Sequence, residues 1–139
     1  MATTTATLTI NSTDLLTDEL SLSTTCTLTQ TGTNTGVEDT TGLNRKKVTS
    51  TAKGTASGQI TLYTADDFAA IPYLYINNLD TTAGNKIFVY DGTTSGDPLQ
   101  FQLDANDWAF IPMHGDKTYK AYATTNPTSI EFMVIGKDQ

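Results

Sequence analysis

Polar and apolar residues alternate along much of the chain, and this period of two predicts β-strands. Near the N-terminus, Leu8 and Ile10 alternate with threonines. In the following segment the apolar residues all fall on even positions: Leu20, Leu22, Cys26 and Leu28. One side of each strand is therefore apolar, and in the second strand we expect that side, with a buried structural Cys26, to point inward.

The second half of the chain contains short apolar or alternating runs that end at turn residues. These runs cover residues 73–76, 87–90, 99–103, 108–111, 119–123 and 129–135, and two earlier runs cover 46–52 and 59–63. Turn residues such as Asp91-Gly92 separate them, and one helical turn capped by Thr64 is expected over residues 64–70. The pattern predicts an all-β fold, a β-sandwich or jelly-roll-like arrangement of about eight to nine short antiparallel strands with little helix.

Aromatic residues divide the chain unequally. All twelve aromatics lie at or after Tyr63, and residues 1–58 contain none. Because aromatic side chains bury large areas, we expect one domain over 1–139 whose aromatic core occupies 59–136. The Thr-rich segment 1–58 then supplies either an extended arm or edge strands, and its polar stretch 30–44 is expected to be a mobile or functional loop.

Composition and charge narrow the classes of partner. The 29 threonines favour strands, because a β-branched side chain suits a pleated surface. A net charge of −7 argues against nucleic acid, which requires a basic surface, and against an anionic membrane. No signal peptide or long apolar run is recognised, so we expect synthesis in a cytoplasm.

The residues that could perform chemistry are few and scattered. A single histidine, His114, is interpreted as an exposed loop residue, and with the single Cys26 it makes no usual zinc site. The acidic clusters at 66–67 and 104–107 fall in turns, and the loop 91–97 lacks the acids of a calcium-binding loop. We therefore expect no catalytic, cofactor-binding or metal-binding residues, and a protein that is not an enzyme.

Two further groups suggest binding. The basic run at 44–47 includes Arg45, Lys46 and Lys47, which form either a solvated strand or a contact for an acidic neighbour. Trp108, Phe110 and Tyr90 could together stack a sugar. Trp108 and Phe110 share one strand face, however, and this favours a place in the core.

Residues 73–136 resemble small structural proteins of tailed bacteriophages, especially those of marine and cyanobacterial hosts. The similarity is carried by YLYINNLD, by IFVYD, by the Asp97-Pro98 turn, by WAFIP, and by a closing stretch that begins TYKAYATT and ends IEFMVIG. In such proteins these motifs form a β-sandwich scaffold, and the pattern contains no catalytic residue. Residues 1–58 match no part of the family.

The resemblance implies a virion component, and the expected function is that of a decoration (cement) protein on the capsid surface. Its partners would be the major capsid protein and other copies of the chain, as a dimer or trimer, after synthesis in the host cytoplasm. Contact is expected through Leu8 and Ile10, whose strand could extend a neighbour's sheet, and through Arg45, Lys46 and Lys47. The alternatives are a tail or fibre-base component and a carbohydrate-binding module.

Overall fold

Eleven β-strands and no helix make up the part of the chain that the structure describes. The structure is a computed structural model, and it describes residues 3–12, 20–29, 39–54, 57–68, 71–125 and 127–136. The strands are β1 (Thr3–Ser12), β2 (Leu20–Thr29), β3 (Asp39–Thr40), β4 (Asn44–Val48), β5 (Ile60–Tyr63), β6 (Tyr73–Asn78), β7 (Ile87–Asp91), β8 (Leu99–Leu103), β9 (Trp108–Pro112), β10 (Tyr119–Ala123) and β11 (Thr128–Gly136). The predicted all-β class is confirmed. Within these residues no helix is long and apolar enough to cross a membrane.

Nine of the strands form two antiparallel sheets, one of five strands and one of four. In the first sheet both β3 and β4 pair with β11, which is followed by β6 and β9, so that without the two-residue β3 the order is β4-β11-β6-β9. The second sheet has the order β5-β10-β7-β8. From β4 to β11 the chain changes sheet at every connection except the one between β7 and β8. This strand order is that of a jelly roll, a double-sheet fold that contains two Greek keys.

The core between the sheets is built from alternate residues of the facing strands. Leu74 and Ile76 of β6 and Val134 of β11 are fully buried. They belong to one cluster with residues of the second sheet, among them Ile87 and Val89. Burying one aliphatic side chain of this size stabilises the fold by about 1.5–3 kcal/mol, so this cluster provides the main driving force for folding.

Residues 39–48 form an edge of the first sheet, although the sequence predicts a loop over 30–44. Both β3 and β4 pair with β11. Val48 belongs to the central cluster, so the core begins before residue 59, the first residue of the predicted core. Between β3 and β4, the Thr41 hydroxyl accepts a hydrogen bond from the Val134 amide at 3.0 Å. Local sequence could not indicate this pairing, because the partner residue lies 93 positions further along the chain.

Residues 64–68 form a turn and not the start of a helix. Asp66 has a φ of 69°, in the left-handed region that a helix does not use. The Asp67 carboxylate accepts a hydrogen bond from the Thr64 amide at 2.7 Å, whereas the predicted cap required Thr64 as the acceptor. The predicted helical turn is therefore wrong for these residues, and 69–70 lie outside the described part of the chain.

Strands β1 and β2 form a hairpin separate from both sheets. Ten successive pairs run from Thr3 opposite Thr29 to Ser12 opposite Leu20. Among the described strands, none outside the hairpin pairs with it. Ten extended residues span roughly 33 Å, so this hairpin is an elongated ribbon. Residues 13–19 and 30–38, which contain most of the predicted loop, lie outside the described residues.

Candidate functional site

The hairpin has two chemically different faces. Ala6, Leu8 and Ile10 alternate along β1 and lie on one side of it. Leu22 of β2 is directly opposite Ile10 and shares that side, which we call the apolar face. The other side, the hydroxyl face, holds Thr5, Thr7, Thr9, Asn11, Ser21, Ser23, Thr25 and Thr27. On it the Thr7 and Thr25 hydroxyls form a hydrogen bond of 3.2 Å across the strands.

The apolar face of the hairpin is largely exposed. Leu8 and Ile10 are each 41% exposed, and Leu22 is 46% exposed. The predicted inward orientation is therefore wrong for Leu22, because the hairpin lies outside the jelly-roll core. The backbone of Cys26 is opposite Ala6, and the prediction of a buried Cys26 side chain falls outside the described residues.

The predicted basic residues lie on β4, at the opposite edge of the first sheet from β9. Arg45, Lys46 and Lys47 are all exposed. Lys46 Nζ lies 5.8 Å from the centre of the Phe132 ring, within range of a cation–π interaction. The structure does not bring these cations together with Leu8, which lies beside residues of β6 and β9.

Glu131 connects the basic edge to the aromatic residues of the same sheet. Its side chain is only 10% exposed. Arg45 Nε donates a hydrogen bond to one carboxylate oxygen at 2.5 Å, and the Tyr75 hydroxyl donates to the other at 3.2 Å. The hydrogen bond from the Arg45 guanidinium lowers the pKa of Glu131. Arg45 therefore has a structural role, and Lys46 and Lys47 are the better candidates for contact with an acidic partner.

The outer side of the first sheet carries an aromatic face, made of Tyr73 and Tyr75 from β6 and Trp108 and Phe110 from β9. Tyr75 is directly opposite Phe110, and the Tyr73 ring stacks on Phe110 with centroids 5.6 Å apart. Trp108 is 54% exposed. Trp108 and Phe110 share a strand face as predicted, but that face points away from the core, so the core assignment is wrong for Trp108.

A cleft of about 420 Å³ lies between the aromatic face and the hairpin. Tyr75, Trp108 and Phe110 line one side of it. The hairpin residues that line the other side are Ala6, Thr7, Leu8, Thr24 and Thr25. All eight side chains are uncharged, and the cleft therefore combines aromatic rings, short aliphatic groups and hydroxyls.

Tyr90 is not part of this aromatic face. It belongs to the second sheet and is fully buried. Its hydroxyl donates to Gln59 Oε1 at 2.7 Å and accepts from the Gly54 amide at 3.4 Å, while Lys53 Nζ lies 5.9 Å from its ring centre. The predicted combination of Tyr90 with Trp108 and Phe110 is therefore wrong, and Tyr75 takes its place.

The acidic clusters serve the turns between strands. Asp67, Asp97 and Asp107 each accept a hydrogen bond from the backbone amide three residues earlier, at 2.7, 2.5 and 3.0 Å respectively. Such local bonds fix the turn conformation. In the part of the chain that the structure describes, no group of three or more His, Cys, Asp or Glu residues could hold a metal ion.

His114 is exposed in a loop, which confirms the interpretation made from the sequence. Its side chain is 80% exposed and lies 4.0 Å from the Asp116 carboxylate. Its carbonyl accepts a hydrogen bond from the Tyr63 hydroxyl at 2.8 Å, so the backbone of this loop is held against the core.

Sequence reasoning missed Tyr75 and Leu22 as surface residues. Tyr75 lies in YLYI, a run that is apolar on both faces and therefore gives no signal for which face is outside. Leu22 lies in a strand with clear alternation, which identifies an apolar face without revealing whether the chain's own core covers it.

Comparison with protein-family models, curated proteins and solved structures finds no match for this chain.

Proposed function

We propose that the chain is a virion structural protein, a decoration protein that binds the outer surface of a phage capsid through its hairpin and stabilises the shell. The observation that carries the proposal is the exposed apolar face of the hairpin, at Leu8, Ile10 and Leu22. The jelly roll positions this hairpin, and the partner completes its burial.

A partner is needed because an isolated two-stranded ribbon is only marginally stable in water. Here the ribbon carries apolar side chains on one side, and covering them with a second surface would be favourable by about 25 cal/mol for each Å² of apolar area removed from water. Ile10 and Leu22 lie towards the end of the hairpin that joins the two strands. This end does not line the cleft, so it is the part most available to a neighbouring protein.

A capsid is a suitable partner because it is symmetric and offers many identical binding sites. A shell repeats one binding site many times, and contacts that are weak individually hold a linked assembly through multivalency. A dimer or trimer of this chain would present two or three hairpins to neighbouring capsid subunits at once. The resemblance of residues 73–136 to structural proteins of tailed phages supports this class of partner over others.

Lys46 and Lys47 would form a second and weaker contact. Both are exposed on the edge strand β4, in a chain whose net charge is −7. Cations at the rim of an interface mainly raise the rate of association with an acidic surface and make that rate sensitive to salt. The Arg45 guanidinium contributes less, since it is paired with Glu131.

The test compares two double variants of the full chain for binding to capsids of the encoding phage that lack this protein. Ile10→Thr with Leu22→Thr places β-branched threonine, which favours strands, at both positions but removes aliphatic surface from the apolar face. We expect at least a tenfold loss of affinity, about 1.4 kcal/mol. The control, Thr9→Ala with Ser23→Ala, changes a directly opposed pair on the hydroxyl face and should bind within twofold of the wild type.

Three results would contradict the proposal. If the wild-type chain does not bind capsids, the whole proposal is wrong. If the apolar-face variant binds as well as the wild type, the hairpin is not the contact. Tagged copies seen by electron microscopy on tails and not on capsids would replace the decoration role with that of a tail or fibre-base component.

A further inference from the structure

The cleft between the hairpin and the first sheet has a chemistry that the proposed function does not use. We infer that it is a binding site for a neutral oligosaccharide, which stacks on the aromatic face and is bordered by the Thr24 hydroxyl of the hairpin. This inference is independent of capsid binding, because the residues that line the cleft are different from Ile10 and Leu22.

Trp108 is the first reason for this choice of ligand. An indole that is 54% exposed on an edge strand is not explained by packing within the chain. It lines the same cleft as Phe110 and Tyr75, so three aromatic residues border one site. The C–H faces of a pyranose ring are apolar and match the negative face of an aromatic ring, while its hydroxyls stay free to form hydrogen bonds.

Tyr75 is held in place before any ligand arrives. Its hydroxyl donates to Glu131 at 3.2 Å, and Arg45 fixes the other oxygen of the same carboxylate at 2.5 Å. The Phe110 ring is held by its stacking against Tyr73. A preorganised surface loses little conformational entropy on binding, which favours recognition of a ligand that makes only modest contacts.

The hairpin provides a polar group of the kind that a saccharide requires. Thr24 lines the cleft on the same side of the hairpin as its directly opposite partner Leu8, and its hydroxyl offers one donor and two acceptor positions. Thr7 and Thr25 also line the cleft, but their hydroxyls belong to the hydroxyl face on the other side of the ribbon. The Thr24 hydroxyl favours a sugar over a purely aliphatic ligand.

Charge and size limit the ligand further. None of the eight lining residues is charged, which disfavours sulfated, phosphorylated or uronic-acid ligands. A volume of about 420 Å³ lies within the usual range for small-molecule sites and suits a short oligosaccharide. The cleft is open at its surface, so a longer glycan chain could continue beyond it.

Trp108 is the only tryptophan of the chain, and this makes the test direct. The full-length protein is first applied to an array of neutral and charged oligosaccharides. Each neutral ligand that binds is then titrated while the fluorescence of Trp108 is recorded. We expect a saturable change in emission and protection of Trp108 from quenching by acrylamide.

Variants then assign the binding to the cleft. Trp108→Ala and Phe110→Ala should each weaken binding at least tenfold, as measured by calorimetry, which does not need the tryptophan. Leu99→Ala is the matched control, because Leu99 is another exposed apolar residue, at 46%, on β8 of the second sheet. It should bind as the wild type does. Thermal unfolding of each variant establishes that it is folded.

Several outcomes would overturn the inference. An array that stays blank for neutral glycans, or that shows only charged glycans, would do so. Binding that survives both Trp108→Ala and Phe110→Ala would place the ligand elsewhere. An emission change produced by raising the protein concentration alone would assign the cleft to a second copy of the chain. Because Ile10→Thr with Leu22→Thr leaves the lining intact, that variant should keep saccharide binding whatever its effect on capsids.

Discussion

Asn78 shows how one buried polar side chain can join several segments. It is fully buried, and its amide nitrogen donates to the carbonyls of Asn85 and Asp104, each at 2.9 Å. Its side-chain oxygen accepts from the Asp80 amide at 3.1 Å. The end of β6 is thereby tied to the loop before β7 and to the turn before β9. Asn78 and Asp80 belong to the YLYINNLD motif, so the motif has a physical role as scaffold.

Replacing Asn78 should destabilise the fold severely. Asn78→Ala removes a fully buried side chain and leaves the carbonyls of Asn85 and Asp104 without this donor. We expect a loss of about 2–4 kcal/mol in the free energy of unfolding, measured with urea. The neighbouring Asn77 is half-buried on the outer side, and Asn77→Ala should cost less than about 1 kcal/mol. Equal losses for the two variants would contradict this account of Asn78.

Acid should weaken the fold through its turn carboxylates. Backbone hydrogen bonds lower the pKa of Asp97, mainly from Thr94, and that of Asp80, mainly from Thr82. A pKa that is lower in the folded than in the unfolded state gives stability that is complete above the unfolded pKa of about 3.9. That stability is lost as the pH falls from there towards the folded pKa.

The corresponding measurement is the unfolding midpoint between pH 6 and pH 2.5. The contribution of these two groups to the wild-type midpoint should stay constant down to about pH 4.5. Below that pH the contribution should shrink, and the midpoint should fall. Asp97→Asn retains an oxygen that can accept from Thr94 but does not titrate, so its midpoint should fall less steeply. Identical slopes for the variant and the wild type would show that Asp97 does not contribute.

At the scale of elements, the period-two pattern predicts where the strands are, but not which side of a strand faces the core or which distant residues it contacts. Strands β8 and β10 could be predicted because their alternation and flanking turns are local signals. The exposed side of β9 could not, since WAFIP is apolar on both faces and only its position at a sheet edge leaves Trp108 outside. The carbonyl partners of Asn78 lie up to 26 residues away, beyond any local pattern.

The segment that covers Tyr90 depends on Gly54. Gly54 has a φ of 77°, and a Cβ atom there would overlap the backbone nitrogen of Ser95. Gly84 also has a positive φ, of 90°, but a Cβ atom there would have nothing within 4 Å. Substitution at Gly84 therefore tests the effect of the backbone conformation alone. Substitution at Gly54 tests that effect together with the close contact between two loops.

Gly84→Ala should cost about 1 kcal/mol, the usual penalty for a left-handed residue with a side chain. Gly54→Ala should cost about 3 kcal/mol or more, because the segment must move away from Ser95 and uncover Tyr90. Denaturant unfolding of both variants tests the difference. If Gly54→Ala costs no more than Gly84→Ala, the close contact between Gly54 and the backbone of Ser95 does not contribute to stability.

At the scale of the whole molecule, two parts of unequal character follow one another in sequence. The jelly roll has a core shared by both sheets, and its strand order arises from pairings between distant segments, such as β4 with β11, that alternation cannot specify. The hairpin has an apolar face that is exposed in the free chain. Its aromatic-free, Thr-rich composition marked it as different, but only the structure revealed the orientation of Leu8 and Leu22.

Amide hydrogen exchange of the full chain, free and bound to capsids, tests the docking of the hairpin most directly. In the free chain, amides of β6 and β11 should exchange slowly, and those of residues 5–11 and 21–27 should exchange much faster, because no core covers the ribbon. On capsids, the hairpin amides should become protected by at least tenfold while the jelly roll changes little. Protection confined to the jelly roll, or a hairpin already as protected as β11 in the free chain, would contradict the proposal that the hairpin is the docking element.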